Sequence, residues 1–171
     1  AEWAGGKTGT GKPGGAFSRL SAIDLGTIAS KAALERAGVE AEDIDEVIFG
    51  NALQTSADAI YGARHVGLKA GVPKESPALT VNRLCGSGIE SVVQAKSRIQ
   101  LGESKIVLAG GMENLSQAPF VVRGAREGIK LGQGKLEDYL MASLMDPYAG
   151  CFMAVTAENL ARDHGISREA Q

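Results

Sequence analysis

The 171-residue sequence predicts an α/β fold in which a parallel sheet is covered by helices on both faces. Three observations carry that reading. Short β-branched or apolar runs ending in glycine, such as "EVIFG" (46–50) and "SKIVLAGG" (104–111), recur between longer segments of helical spacing. The short runs are apolar without alternation, as strands buried on both faces are. The helical segments are punctuated by capping residues at the start and glycine at the end. A composition 44% hydrophobic and 22% charged fits a globular chain with a real core.

The elements follow in order. From Ser21, "SAIDLGTIASKAALERAGV" places Ile23, Ile28, Ala32, Leu34 and Ala37 near helical spacing. Ser21 and Asp24 form an S-x-x-D capping box there, and Gly38 is the stop. "EVIFG" is a buried strand. "ADAIYGARHVGLKAGVP" resumes helical spacing through Ala59, Ala63, Val66 and Ala70, ended by Gly71 and Pro73. "PALTVN" (77–82) is a second strand, "GSGIESVVQAKSRIQLG" a helix closing at Gly102, and "SKIVLAGG" a third strand. From Ala118 to Gly150 the glycines at 124, 128, 132 and 134 and the charges around them mark an excursion from the core. "CFMAVTAENLARDHG" (151–165) is a further helix, and "ISREAQ" reads as the start of another.

Charge and composition exclude several classes of function. The formal net charge is −2 and no Lys/Arg block occurs, so the electrostatic footprint of a nucleic-acid or anionic-membrane binder is missing. The longest apolar runs, such as "IVLAGGM" (106–112), fall far short of the roughly 18 residues that span a bilayer, and "AEWAGGKTGTGK" lacks a signal peptide's apolar core. Two cysteines, at 85 and 151, make no disulfide framework. A cytoplasmic protein without a metal site is therefore expected, since two histidines and two cysteines show no ligand spacing. "GKTGTGKP" approaches a phosphate loop, but Pro13 stands where Ser or Thr would bind Mg²⁺ and no strand feeds it. "GSGIES" fails the dinucleotide fingerprint at its last position.

The residue that points to chemistry is Cys85, in "TVNRLCGSGIESVVQA" (80–95), a glycine-framed turn between a strand and a helix. In α/β sheets ligands collect at the carboxyl ends of strands, where the next helices begin. A helix N-terminus offers partial positive charge and unpaired N–H groups, which favour a thiolate. That contribution is about 0.3–1 kcal/mol at an exposed end. It does not suffice for an ordinary cysteine, so a general base, expected to be His, is needed within reach. The free N–H of the turn can stabilise an oxyanion on a carbonyl that Cys85 attacks, and Gly86 and Gly88 let a substrate approach bare backbone. Taken alone, an inert cysteine beside a helix cap is the plainer account.

The full string reverses that preference. "NRLCGSGIESV" resembles the active-site motif of the thiolase family of acyl-CoA acyltransferases. The likeness extends, in family order, through "GNALQTSADAIYGARHVGLKAGVP" (50–73), "AGGMENLSQAP" (109–119) and "FMAVTAENLARDHGISREAQ" (152–171). The resemblance implies that Cys85 takes an acyl group from CoA, its own N–H forming half of an oxyanion hole. The acyl-enzyme then condenses with a second acyl-CoA, or the reverse thiolysis runs. It further implies that Leu144 and Met153 line the pantetheine end of the CoA site, although a core role would look the same in sequence. Phe152 stands where several short-chain relatives have His, which leaves the acyl chain length open. Glu113 and Asn114 are expected to be structural hydrogen-bonders beside the nucleophile, and His65 and His164 surface or capping residues.

The resemblance assigns residues 1–118 to the amino-terminal core half, 119–150 to a loop domain that shapes the substrate tunnel and contacts neighbouring subunits, and 151–171 to a helix leading onward. The expected fold is the layered α/β fold of that half, with a mixed, mostly parallel sheet. CoA enters as part of the substrate, with no separate cofactor, and the complete protein is expected to be a homo-oligomer, dimer or tetramer, acting in fatty acid metabolism. The family's activating histidine, Asn-held water and second cysteine lie in its carboxyl-terminal half, so this chain looks like an amino-terminal fragment that is inactive alone. The alternative is a non-catalytic CoA-binding or oligomerisation module. "KTGTGKPGG" (7–15) departs from the family's R-T-P-x-G-x-F-G-G, and "AEWAGG" offers no apolar first strand before it. If that strand is absent, an unpaired edge in the middle of the sheet is expected.

Overall fold

The computed structural model describes residues 15–171. The near-phosphate-loop segment up to residue 14 and the question of a first strand lie outside the described residues. The chain forms two compact units, one closing at Ala118 and the other running Pro119–Gln171.

In the first unit, α1 (Ala22–Ala37) starts and stops where its capping chemistry requires. Ser21 Oγ accepts the Asp24 N–H at 3.0 Å, Asp24 Oδ2 accepts the Ser21 N–H at 3.3 Å, and Gly38 turns left-handed at φ 62°. Losing the cap by Ser21→Ala is expected to cost about 1 kcal/mol, read as a lowered denaturation midpoint. Lys69 Nζ lies 2.9 Å from Asp24 Oδ1 and ties the next helix to this one. The Lys69 hydrogen bond first, then the Ser21 hydroxyl, hold the Asp24 carboxyl below its ordinary range. A depressed carboxylate stabilises the fold fully above its unfolded-state value of 3.8 and loses that contribution as pH falls through the folded value. The thermal midpoints of wild type and Lys69→Met are therefore expected to differ at neutral pH and to converge below about pH 4.

Three strands follow, β1 (Glu46–Gly50), β2 (Ala78–Val81) and β3 (Val107–Gly111), parallel and in the order β2-β1-β3. Ile48 stands opposite Leu79 on one side and Ala109 on the other. The central strand of the three is paired along both edges. β1 is buried throughout, and its alternation serves two layers. Val47 and Phe49 join Ile23, Leu34, Ala63, Val66 and Met112 in the core under α1 and α2 (Gly62–Ala70). Glu46, Ile48 and Gly50 face the other way, toward α3 (Ser87–Gln100). There Arg98 Nε approaches Glu46 Oε2 at 3.5 Å.

The helix read from Ala59 begins as a 3-10 turn, Ala59–Tyr61, before α2. The reason is tertiary. A Cβ on Gly62 would lie 2.7 Å from Met112 Cε, and the Ala63 N–H is taken by Thr80 Oγ1 at 2.9 Å. β2 thus dictates where regular helix can start.

The second unit has short elements. β4 (Phe120–Val121) pairs antiparallel with β5 (Glu137–Asp138), and β6 (Met145–Asp146) with β7 (Cys151–Phe152). Between them α4 (Tyr139–Leu144) is capped by Asp138 Oδ1, which accepts the N–H groups of Leu140 and Met141. α5 (Met153–His164) ends at Gly165 with φ 62°. Past it, where "ISREAQ" reads as the start of another helix, there is a single turn in which the Gln171 N–H donates to Ser167 O at 3.2 Å.

Candidate active site

Glycine positions the site from below. A Cβ on Gly50, at the carboxyl end of β1, would sit 2.5 Å from the Ser87 backbone carbon, and one on Gly111, at the end of β3, would sit 3.5 Å from Gly88 Cα. The first turn of α3 therefore rests directly on the carboxyl ends of two parallel strands, with Cys85 immediately before it. At Gly88 itself an added Cβ would meet nothing within 4 Å, so the turn has open space in front of it.

The turn that carries Cys85 is locked by its neighbours. Leu84 has φ 50°, the left-handed region that a leucine enters only when surrounding bonds impose it, at about 1–3 kcal/mol. Asn82 Oδ1 accepts the Leu84 N–H at 2.9 Å while Asn82 Nδ2 donates to Ala52 O at 3.1 Å. Ser87 Oγ accepts the Arg83 N–H at 2.9 Å and donates to Leu84 O at 2.6 Å. The Gly86 and Ser87 N–H groups donate to Arg83 O and Leu84 O, both at 3.0 Å. Cys85 is exposed, and its N–H has no acceptor among the described residues.

The segment after β3 braces the loop that follows β1, whose Ala52 O in turn accepts from Asn82. The Glu113 carboxylate accepts the N–H groups of Ala52 and Leu53 at 2.9 Å and the Asn51 amide at 3.0 Å. Asn114 is fully buried, donating to Phe17 O and Leu20 O and accepting the Ser116 N–H. Both act as the hydrogen-bonding braces expected of them. Asn114→Ala would strand these buried partners, and a loss of stability of about 1–3 kcal/mol is expected in denaturant titration. His65 is engaged at the surface, stacked on Tyr61 at 5.0 Å with Nδ1 3.4 Å from Asp58 Oδ2. His164 is the last residue of α5.

The other residues read as site candidates fall in the second unit. Phe152 pairs with Met145 across β6 and β7 and lines an open groove of about 680 Å³ with Arg123, Glu137, Met141 and Ala142. Leu144 closes α4 half-buried, and Met153 opens α5 exposed; neither lines that groove. Cys151 is half-buried, its Sγ 3.8 Å from Thr156 Oγ1. The sequence reading missed Asn82 and Ser87. Their signal was present: an Asn two residues before a turn position and a Ser at the first helical position both bond backbone locally.

Comparison with known proteins places this arrangement. Residues 4–171 match the family model described as "Thiolase, N-terminal domain". Human mitochondrial 3-ketoacyl-CoA thiolase is 54% identical over 164 residues, 95% of this chain and 41% of that protein. An acetyl-CoA acetyltransferase of Cupriavidus necator is 45% identical over 166 residues, 96% of this chain and 42% of that protein. Among solved structures, the human mitochondrial 3-ketoacyl-CoA thiolase in complex with CoA superposes with TM-score 0.86 at 54% identity, covering 90% of this chain and 39% of that one. The acetyl-CoA acetyltransferase of Bacillus anthracis gives 0.84 at 36% identity, covering 91% and 39%. The chain thus spans about two fifths of the length of these relatives. With the glycine-seated cysteine turn, the three-stranded parallel sheet and the family match all falling in the same stretch, this chain belongs to the thiolase family, where it corresponds to the amino-terminal domain.

Proposed function

We propose that the complete protein is a thiolase-type acyl-CoA acyltransferase and that Cys85 is its acylated nucleophile. The observation that carries this is an exposed cysteine whose backbone N–H meets no acceptor among the described residues, set at the start of α3 above the ends of parallel strands. The Cys85 sulfur, its proton given to a base, bonds to the carbonyl carbon of an acyl-CoA. The charge that develops on the carbonyl oxygen accepts the Cys85 N–H. The C–S bond to CoA then breaks, and the CoA thiolate takes up the proton. Attack on a 3-ketoacyl-CoA instead breaks the bond between its second and third carbons. The carbanion released, which carries the second carbon and its CoA thioester, is protonated to acetyl-CoA, and a CoA thiol then takes the shortened acyl group from Cys85.

In this reading Leu144, Phe152 and Met153 line the pantetheine and acyl end of the site. Residues 119–150 serve as the loop domain, and residues 151–171 lead into the rest of the protein. Acyl-CoA and CoA are the small-molecule partners, fatty acid metabolism the setting, the cytoplasm the compartment, and a dimer or tetramer the working form. What supports the CoA assignment is the solved relative whose complex holds CoA. No helix among the described residues is long and apolar enough to cross a membrane.

Two measurements test the reading. Mass-resolved iodoacetamide labelling at neutral pH is expected to modify Cys85 well before Cys151; the reverse order would remove the nucleophile assignment. Brief exposure of the complete protein to acetyl-CoA is expected to add one acetyl group to the Cys85 peptide.

A second reading, a module kept for assembly, draws on α3, whose Ile89, Val92 and Val93 are about half exposed or more at helical spacing. Such a stripe drives association. The 171-residue chain by itself is expected to self-associate, and a clean, cooperative monomer in sedimentation would contradict that.

A further inference from the structure

We propose that Ser87 is a positioning residue that aims the Cys85 N–H, acting through the peptide plane between Leu84 and Cys85. The inference rests on the reading of Cys85 as the acylated nucleophile.

A trans peptide is planar, so its C=O and N–H point in opposite directions and cannot be turned independently. Leu84 O and the Cys85 N–H belong to the same plane. Leu84 O is gripped from one residue by two donors, the Ser87 N–H at 3.0 Å and the Ser87 hydroxyl at 2.6 Å. Fixing that oxygen fixes the direction of the Cys85 N–H on the far side of the plane. The same hydroxyl accepts the Arg83 N–H at 2.9 Å, which closes the turn from its other end.

The accounting of backbone groups supports a dedicated clasp. The N–H and C=O of Arg83 and of Leu84 are all occupied, by Ser87, Gly86 and Asn82. The Cys85 N–H stays free among the described residues. Gly86, the cap position of α3, has no side chain, and the Ser87 hydroxyl bonds back into the turn before the helix, to Arg83 and Leu84, rather than to the helix's own N–H groups. Leu84 is also the non-glycine residue with positive φ among the described residues. Without the Ser87 hydroxyl the plane can rotate toward the backbone region that leucine prefers, carrying the N–H away from its aim. Ser87 itself is 5% exposed and seated against Gly50, so it has no view of substrate.

The test compares two reactions of the same thiol in the complete protein. Acylation by acetyl-CoA passes through an oxyanion; alkylation by iodoacetamide, a displacement at saturated carbon, does not. Removing one oxyanion donor costs about 10²–10³-fold, so in Ser87→Ala, where the donor is misaimed, single-turnover acylation is expected to fall about 10–100-fold. Alkylation of Cys85 in that variant should stay within about threefold of wild type, since the thiol remains exposed and in place. Ser87→Thr, which keeps the hydroxyl, should recover most of the acylation rate. Asn82→Ala removes the acceptor of the Leu84 N–H from an exposed position. It should shift the acylation-to-alkylation ratio the same way, even if Ser87→Ala does not fold. Unchanged acylation in both alanine variants, or equal falls in both reactions, would overturn the inference. Acetylation persisting in Cys85→Ala would instead overturn the nucleophile reading on which it rests.

Discussion

Replacing Cys85 by alanine in the complete protein is expected to lower acyl transfer between thioesters by about 10⁴-fold or more, the scale on which removal of a covalent nucleophile falls. The argument is positional. Cys151, the other cysteine, is half-buried beside Thr156 in the second unit. It lacks the bare-backbone seat that Gly50 and Gly111 give the first turn of α3. Release of free CoA from acetyl-CoA under single-turnover conditions is the measurement. Turnover surviving the substitution would mean that the reacting group lies elsewhere and that the turn serves only as a helix cap. The 171-residue chain by itself should acylate slowly and neither condense nor cleave. Proton removal by a positioned base contributes about 10²–10⁴-fold, and the resemblance puts that base beyond this chain.

Gly50→Ala is expected to be the most damaging single methyl in the core. An ideal Cβ there lies 2.5 Å from the Ser87 carbonyl carbon, 2.6 Å from its oxygen and 2.8 Å from the Gly88 nitrogen, all backbone atoms that cannot rotate away. α3 must lift off the end of β1. Overpacking of this kind costs about 1–3 kcal/mol, and the rigid partners put this case at about 3 kcal/mol. The atoms displaced belong to the turn that holds Cys85, so acylation should fall together with the denaturation midpoint. Gly111→Ala is the control, because its Cβ would meet Gly88 Cα at 3.5 Å, an ordinary contact. A Gly50→Ala protein with unchanged stability and unchanged acylation would show that the helix start is not seated as described.

Much of this was legible one residue at a time. The capping box of Ser21 and Asp24, the left-handed stops at Gly38, Gly71 and Gly165, and the uninterrupted apolar runs of β1 and β3 are local signals, and each appears where the residues put it. Cys85 in its glycine frame was visible for the same reason: a nucleophile at a helix start needs a short string of particular residues. Phe152 was legible as a position but not as part of a groove, because its partners Arg123, Glu137 and Met141 are distant in sequence.

The sequence by itself determined the main helices and strands and the family, and it pointed to Cys85 as the candidate nucleophile, because capping, periodicity and motif spacing are written over a few neighbouring residues. Only the tertiary structure decided that β1 is central with both edges paired, that α2 must begin at Gly62 beneath Thr80, and that Gly50 exists to admit the backbone of Ser87. It also decided that Leu84 is bent into a conformation leucine avoids, with Ser87 and Asn82 holding it there. The physical reason is reach. Backbone propensity acts within a turn, whereas close packing sets two backbones 2.5 Å from a missing side chain across 37 positions of chain, from 50 to 87, and nothing in either segment read alone records the other.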